Sequence, residues 1–137
     1  VSLLTVTVDR LEQWARPGLL CIGDAAHAMS PVGGVGINLA IQDAVAAANL
    51  LAAPLAQSRL VTADLRAVQR RREWPTRVTQ RLQVLIQNRV ISRVLDDRKE
   101  LPMPLALRLA ARFPWMRRLI GRVIGLGIRP EHVRTPG

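Results

Sequence analysis

The segment at residues 23–38, GDAAHAMSPVGGVGIN, leads into GINLAIQDAVAAANLLAA at 36–53, whose alanine and leucine content favours a helix. A helix start leaves its first N–H groups without intrahelical partners, and Ser, Thr, Asp or Asn side chains ordinarily accept from them. Here Gly33, Gly34 and Gly36 occupy the approach, and glycine has no side chain to offer. Asn38 can cap only if the helix begins late; otherwise the N–H groups face water or a ligand oxygen. The positive end of the helix dipole favours an anion or a polarised carbonyl there. Glycine also lets a flat or bulky ligand approach the backbone. The chain must therefore fold around a helix whose first turn is left open.

The flanking sequence supplies the frame. Residues 3–8 alternate apolar and polar at period two, which predicts a half-buried strand. Residues 9–17 form a connection with a helical turn around Leu11 to Trp14. The run GLLCIG at 18–23 reads as a strand buried on both faces, with Cys21 an inert core residue. It ends at Asp24, and in open α/β sheets ligands sit outside the carboxyl ends of strands. Downstream, Pro54 is expected to end the first helix and Pro75 to break or kink a second one over 60–74. A third helix is predicted over 76–95, where Val78, Leu82, Leu85, Ile86, Val90 and Val94 recur at helical spacing. Two shorter helices follow at 104–112 and 114–124, the latter with Pro114 in its first turn, then a tail.

Charge divides the chain. Residues 1–58 hold two arginines against four acids, whereas 59–100 hold eleven bases against five acids and 101–137 seven arginines against one glutamate. The cluster Arg70, Arg71 and Arg72 is compatible with a nucleic-acid surface. Three tryptophans, one phenylalanine and no tyrosine provide few stacking platforms, however. A solvated helix face, or one covered by acids of an absent domain, is the expected reading. The basic helices over 105–124 admit association with an anionic membrane surface as an alternative. No run of eighteen apolar residues and no charged-then-apolar leader occurs, so a cytoplasmic protein is expected. Two histidines and one cysteine, widely spaced, make no zinc pattern. The text opens at Val1 in mid-pattern, which suggests a fragment or a processed chain.

The glycines do not form a phosphate loop, because the lysine and hydroxyl residue of the Walker pattern are absent, and GVGINL matches the dinucleotide fingerprint only in part. The complete spacing is more specific. Gly23-Asp24-Ala25-Ala26-His27, then Pro31, Gly33, Gly36, Ile37-Asn38 and Asp43-Ala44, resembles the second FAD-binding motif of class A flavoprotein monooxygenases, the para-hydroxybenzoate hydroxylase-like family. PTRVTQRLQ and IGLGIRPEHV look like the C-terminal part of such enzymes.

The resemblance implies an α/β fragment, mostly helical. Residues 1–55 would be the C-terminal portion of an FAD-binding domain, with two strands and a cofactor-contacting helix, and 56–137 a helical region packed on it. It implies that Asp24 bonds the ribityl chain of FAD. The backbone N–H groups near Gly36, Ile37 and Asn38 would face the N1–C2=O edge of the flavin. Pro31 would lie beside the isoalloxazine ring, and Gly33 would belong to the same cofactor-binding loop. It further implies NAD(P)H as reductant and oxygen transfer through a C4a-hydroperoxyflavin to an electron-rich small molecule, of which aromatic compounds are one class. Catalytic residues stay unassigned. The N-terminal GxGxxG unit, the Asp-Gly motif and the substrate sheet of such enzymes are not in this sequence, so the chain alone is expected neither to hold FAD tightly nor to turn over. His27 is expected to bond neighbouring backbone and lock the loop. Asp43 is expected to pair with an arginine or a backbone donor, since an unpaired buried acid is costly. Met29 and Ser30 lie on the cofactor or substrate side in this reading. A flavin-dependent reductase or halogenase, and a basic helical module that binds membrane or nucleic acid, are the alternatives.

Overall fold

The structure, a computed structural model, describes residues 8–30, 34–94 and 112–134. The strand expected over 3–8 and the helix expected over 104–112 fall almost wholly outside them. Of these, Val8 is in neither helix nor strand and Arg112 is helical.

Two short strands, β1 (Ala15–Arg16) and β2 (Leu19–Leu20), pair antiparallel with Ala15 opposite Leu20 and Arg16 opposite Leu19. Pro17 and Gly18 make the turn, Gly18 at φ 76°, the pairing of fixed and positive φ that a tight reversal needs. The strand expected over 18–23 is thus only one arm of a hairpin. It is not buried on both faces: Leu19 is 54% exposed and Cys21 half-buried. Gly18 is spent on the turn, and Gly23 at φ 58° bends the chain into a 3-10 turn, Gly23–Ala25. Apolar composition alone could not reveal that so few residues remain for pairing. The stretch from Leu11 to Trp14 is not a helical turn either. The Leu11 N–H donates to the Ala26 carbonyl at 2.8 Å and the Asp9 N–H to the Ala28 carbonyl at 3.2 Å, so this segment runs beside the loop.

Helix α1 (Val35–Ala56) carries Pro54 inside its last turn and ends at Gln57. The proline does not end the helix before it: Leu55 and Ala56 follow it in the same last turn. Helix α2 (Thr62–Val94) runs without interruption through Pro75, where the sequence predicts a break or kink between two helices. An internal proline removes a hydrogen bond and costs about 3 kcal/mol or more. Both flanks of Pro75 are anchored, by the buried Arg72 one turn before it and by the buried Thr79 and Gln80 one turn after. The Thr79 hydroxyl also donates to the Pro75 carbonyl at 2.8 Å. Helix α3 (Pro114–Leu126) starts on its proline and stops at Gly127, φ 79°.

Helices α1 and α2 pack on each other and the hairpin lies against α2. Ala15, Leu51, Leu65 and Val68 form the buried cluster, with Leu20, Ala47, Leu50 and Leu60 around it. Each fully buried Leu or Val contributes about 1.5–3 kcal/mol. Helix α1 is long and apolar enough to cross a membrane. Its polar Gln42 and Asp43 are nevertheless buried and bonded to α2, which marks a helix of a folded core.

The far half of α2 inverts expectation. Leu82 and Leu85 are 38% and 50% exposed, whereas Thr79, Gln80 and Gln83 are buried. The physical reason is what lies opposite. Loop carbonyls of Asp9, Ala28 and Ser30 need donors, and glutamine amides provide them.

Candidate flavin-facing helix start

Helix α1 begins as its lead-in requires. Its N-cap is Gly34 in the left-handed conformation, φ 63° and ψ 16°, and no side chain caps it. Asn38 is half-buried and does not serve as the cap. A Cβ placed on Gly34 would meet nothing within 4 Å, so its backbone is open to approach. A Cβ on Gly36 would meet only Met29 at an ordinary 3.6 Å. Packing within the chain therefore does not demand glycine at 36. Ile37, on the same turn, is 72% exposed.

Asp24 is exposed in the 3-10 turn that crosses α1. The crossing is tight at its preceding residue: a Cβ on Gly23 would come within 3.0 Å of the Ala40 Cβ. Gly23 thus packs on α1 at Ala40, and the exposed Asp24 follows it in the chain. Pro31 and Gly33 lie outside the described residues. Met29 and Ser30 are buried, Met29 beneath Gly36.

Beneath this surface lies a buried ion cluster. The Asp43 carboxylate accepts from Arg72 Nε at 2.9 Å and from the Gly23 N–H at 3.1 Å, and it meets His27 Nε2 at 2.6 Å. The side chains of Asp43, Arg72 and His27 are fully buried. Burial pushes the Asp43 carboxyl upward, but His27, Arg72 and the Gly23 amide outweigh it and hold Asp43 below its usual value. The arginine partner and backbone donor expected for Asp43 are both present. His27 departs from expectation. Its ring bonds a carboxylate on α1 rather than neighbouring backbone, packs on Trp14 with ring centroids 5.2 Å apart, and so locks the loop to the helix.

The arginine cluster, expected to be a solvated face or one covered by acids of an absent domain, is solvated only in part. Arg70 is exposed, but Arg72 is fully buried and Arg71 forms a forked pair with Glu131, at 2.7 and 2.8 Å. That partner raises Arg71 above its ordinary value. Arg72 further donates to Gln42 and to the Arg129 carbonyl, each at 3.2 Å, and Gln42 donates to the Leu126 carbonyl. One arginine therefore joins α1, α2 and the tail.

A second brace holds the loop from the other side. Gln80, Gln83 and Gln87 stand on one face of α2, and their amides donate to the carbonyls of Asp9 and Ala28, to the Ser30 carbonyl and to the Ser30 hydroxyl. Sequence reasoning missed this trio and Glu131. The i, i+3, i+7 spacing of the glutamines was the available signal.

Residues 1–82 match the family model described as an FAD binding domain. The chain belongs to that family. The match takes in the loop, all of α1 and the first part of α2. Relatives agree. The chain is 42% identical over 123 residues to 6-methylpretetramide 4-monooxygenase of Streptomyces rimosus, which covers 90% of this chain but 29% of that protein. It is 47% identical over 51 residues to the FAD-dependent monooxygenase idtM of Claviceps paspali, covering 37% of this chain and 10% of that protein. The chain therefore spans under a third of the length of either relative. The chemistry of the residues present fits such a cofactor: an uncapped helix start, a glycine backbone with no side chain over it and an exposed carboxylate all fall within the matched stretch.

Proposed function

We propose that this chain is the flavin-contacting C-terminal region of a class A, para-hydroxybenzoate hydroxylase-like monooxygenase. The observation that carries the reading is the bare first turn of α1, inside the stretch that matches the family and together in it with exposed Asp24. Asp24 would accept from the ribityl hydroxyls. The N–H groups of Gly36, Ile37 and Asn38 would face the N1–C2=O edge of the ring, where a helix N-terminus stabilises negative charge. Pro31 and Gly33 take their places from the motif, beside the ring and in the loop. FAD, when bound, supplies the redox chemistry with NAD(P)H as reductant, and the substrate is a small electron-rich molecule. This chain's residues bind, orient and stabilise charge. The buried Asp43–His27–Arg72 cluster keeps the loop in register with the helix start.

The half-site would be completed by an N-terminal dinucleotide-binding unit, and the chain alone would hold FAD weakly and be inactive. The test uses the full-length protein. Aromatic substrate should stimulate NAD(P)H oxidation and yield an oxygenated product. Flavin reduction without oxygen insertion would replace monooxygenase by reductase.

A further inference from the structure

A groove of about 300 Å³ opens between the loop at residues 9–10 and the surface of α2, lined by Arg10, Arg77, Gln80, Arg81 and Val84. That is the low end of the size range of small-ligand sites. We propose that Arg10, Arg77 and Arg81 form a binding site for the phosphate groups of a pyrophosphate-bearing ligand. The inference does not depend on the flavin reading.

The groove is built on a fixed floor. Gln80 is only 6% exposed and uses its whole amide: Nε2 donates to the carbonyls of Asp9 and Ala28, and Oε1 accepts from Arg10 at 3.1 Å. Arg10 is thereby held against one wall. Arg77 and Arg81 stand at i, i+4 on the other, where two like charges oppose each other unless something neutralises them. Glu73 pairs with Arg77 at 2.6 Å. Among the described residues no carboxylate pairs with Arg10 or Arg81. The nearest acid in sequence, Asp9, turns its carboxylate to the Arg10 backbone N–H at 2.7 Å. Three guanidinium groups with one paired carboxylate suit a multivalent anion. A single carboxylate has two oxygens and fills one arginine fork; pyrophosphate has oxygens and charge for several.

Isothermal titration of inorganic pyrophosphate into the full chain at low ionic strength tests this. Saturable binding near one equivalent is expected. Arg81→Gln and Arg10→Gln should each weaken it about tenfold or more. Arg66→Gln, an exposed arginine of α2 outside the groove, should leave it within about twofold. Arg81 is exposed, so its variant should keep the helical circular dichroism of the parent. Competition by NADPH would make a dinucleotide the source of the phosphates; binding without such competition would leave another phosphate-bearing ligand in the same site. Absence of saturable binding, or equal weakening by Arg66→Gln and Arg81→Gln, would overturn the proposal.

Discussion

Asp43 of α1 and Arg72 of α2 meet at 2.9 Å with neither side chain reaching solvent. The carboxylate simultaneously holds His27 and the Gly23 amide, so one acid fixes the relation between two helices and the loop. Removing one partner of a buried pair leaves an uncompensated charge, which costs about 3–5 kcal/mol. Arg72→Leu should lower the denaturant midpoint accordingly. Arg70→Leu, two residues away and exposed, should change stability by no more than about 0.5 kcal/mol. Equal effects from the two variants would contradict the role given to Arg72.

Acid should act through the same residue. The folded-state value of Asp43 lies below its ordinary 3.8. Its contribution is therefore fully present above that ordinary value and is lost as pH falls through the folded one. Melting temperature should drop as pH falls below about 4, and Asp43→Asn should flatten that part of the profile.

Two glycines should respond oppositely to alanine. Gly23 has φ 58° and an added Cβ would stand 3.0 Å from the Ala40 Cβ, so Gly23→Ala should destabilise by about 1–3 kcal/mol. Gly121 lies within α3 with nothing near its missing Cβ, so Gly121→Ala should stabilise by about 0.5–1 kcal/mol. Calorimetric melts distinguish the signs.

The glutamine brace should report locally. Gln80→Ala removes the donor to the Asp9 and Ala28 carbonyls. Amide hydrogen exchange across residues 9–11 and 26–30 should speed up while the α1–α2 core around Val68 stays protected. Uniform acceleration would place the glutamine in global stability instead.

What could be read in the sequence was whatever depended on local chemistry. Helix α1 followed from its alanines, its bare start from Gly33, Gly34 and Gly36, and the need for a partner at Asp43 from the cost of burying an acid. Long-range pairing was hidden. Nothing near His27 in sequence announces a carboxylate sixteen residues on, and nothing near Arg71 announces Glu131 sixty residues on. Pro75 was misread because local sterics argue for a break, whereas packing on both flanks carries the helix through. The inward polar face of α2 was misread for a related reason: hydrophobic spacing does not register that loop carbonyls lie opposite.

The central claim is that Asp24 and the open start of α1 together face the flavin. Flavin content of the full-length protein, measured by absorbance after purification, tests it most directly. Asp24→Ala should purify with substantially less FAD than the parent at unchanged secondary structure. Full flavin occupancy in Asp24→Ala would contradict the account.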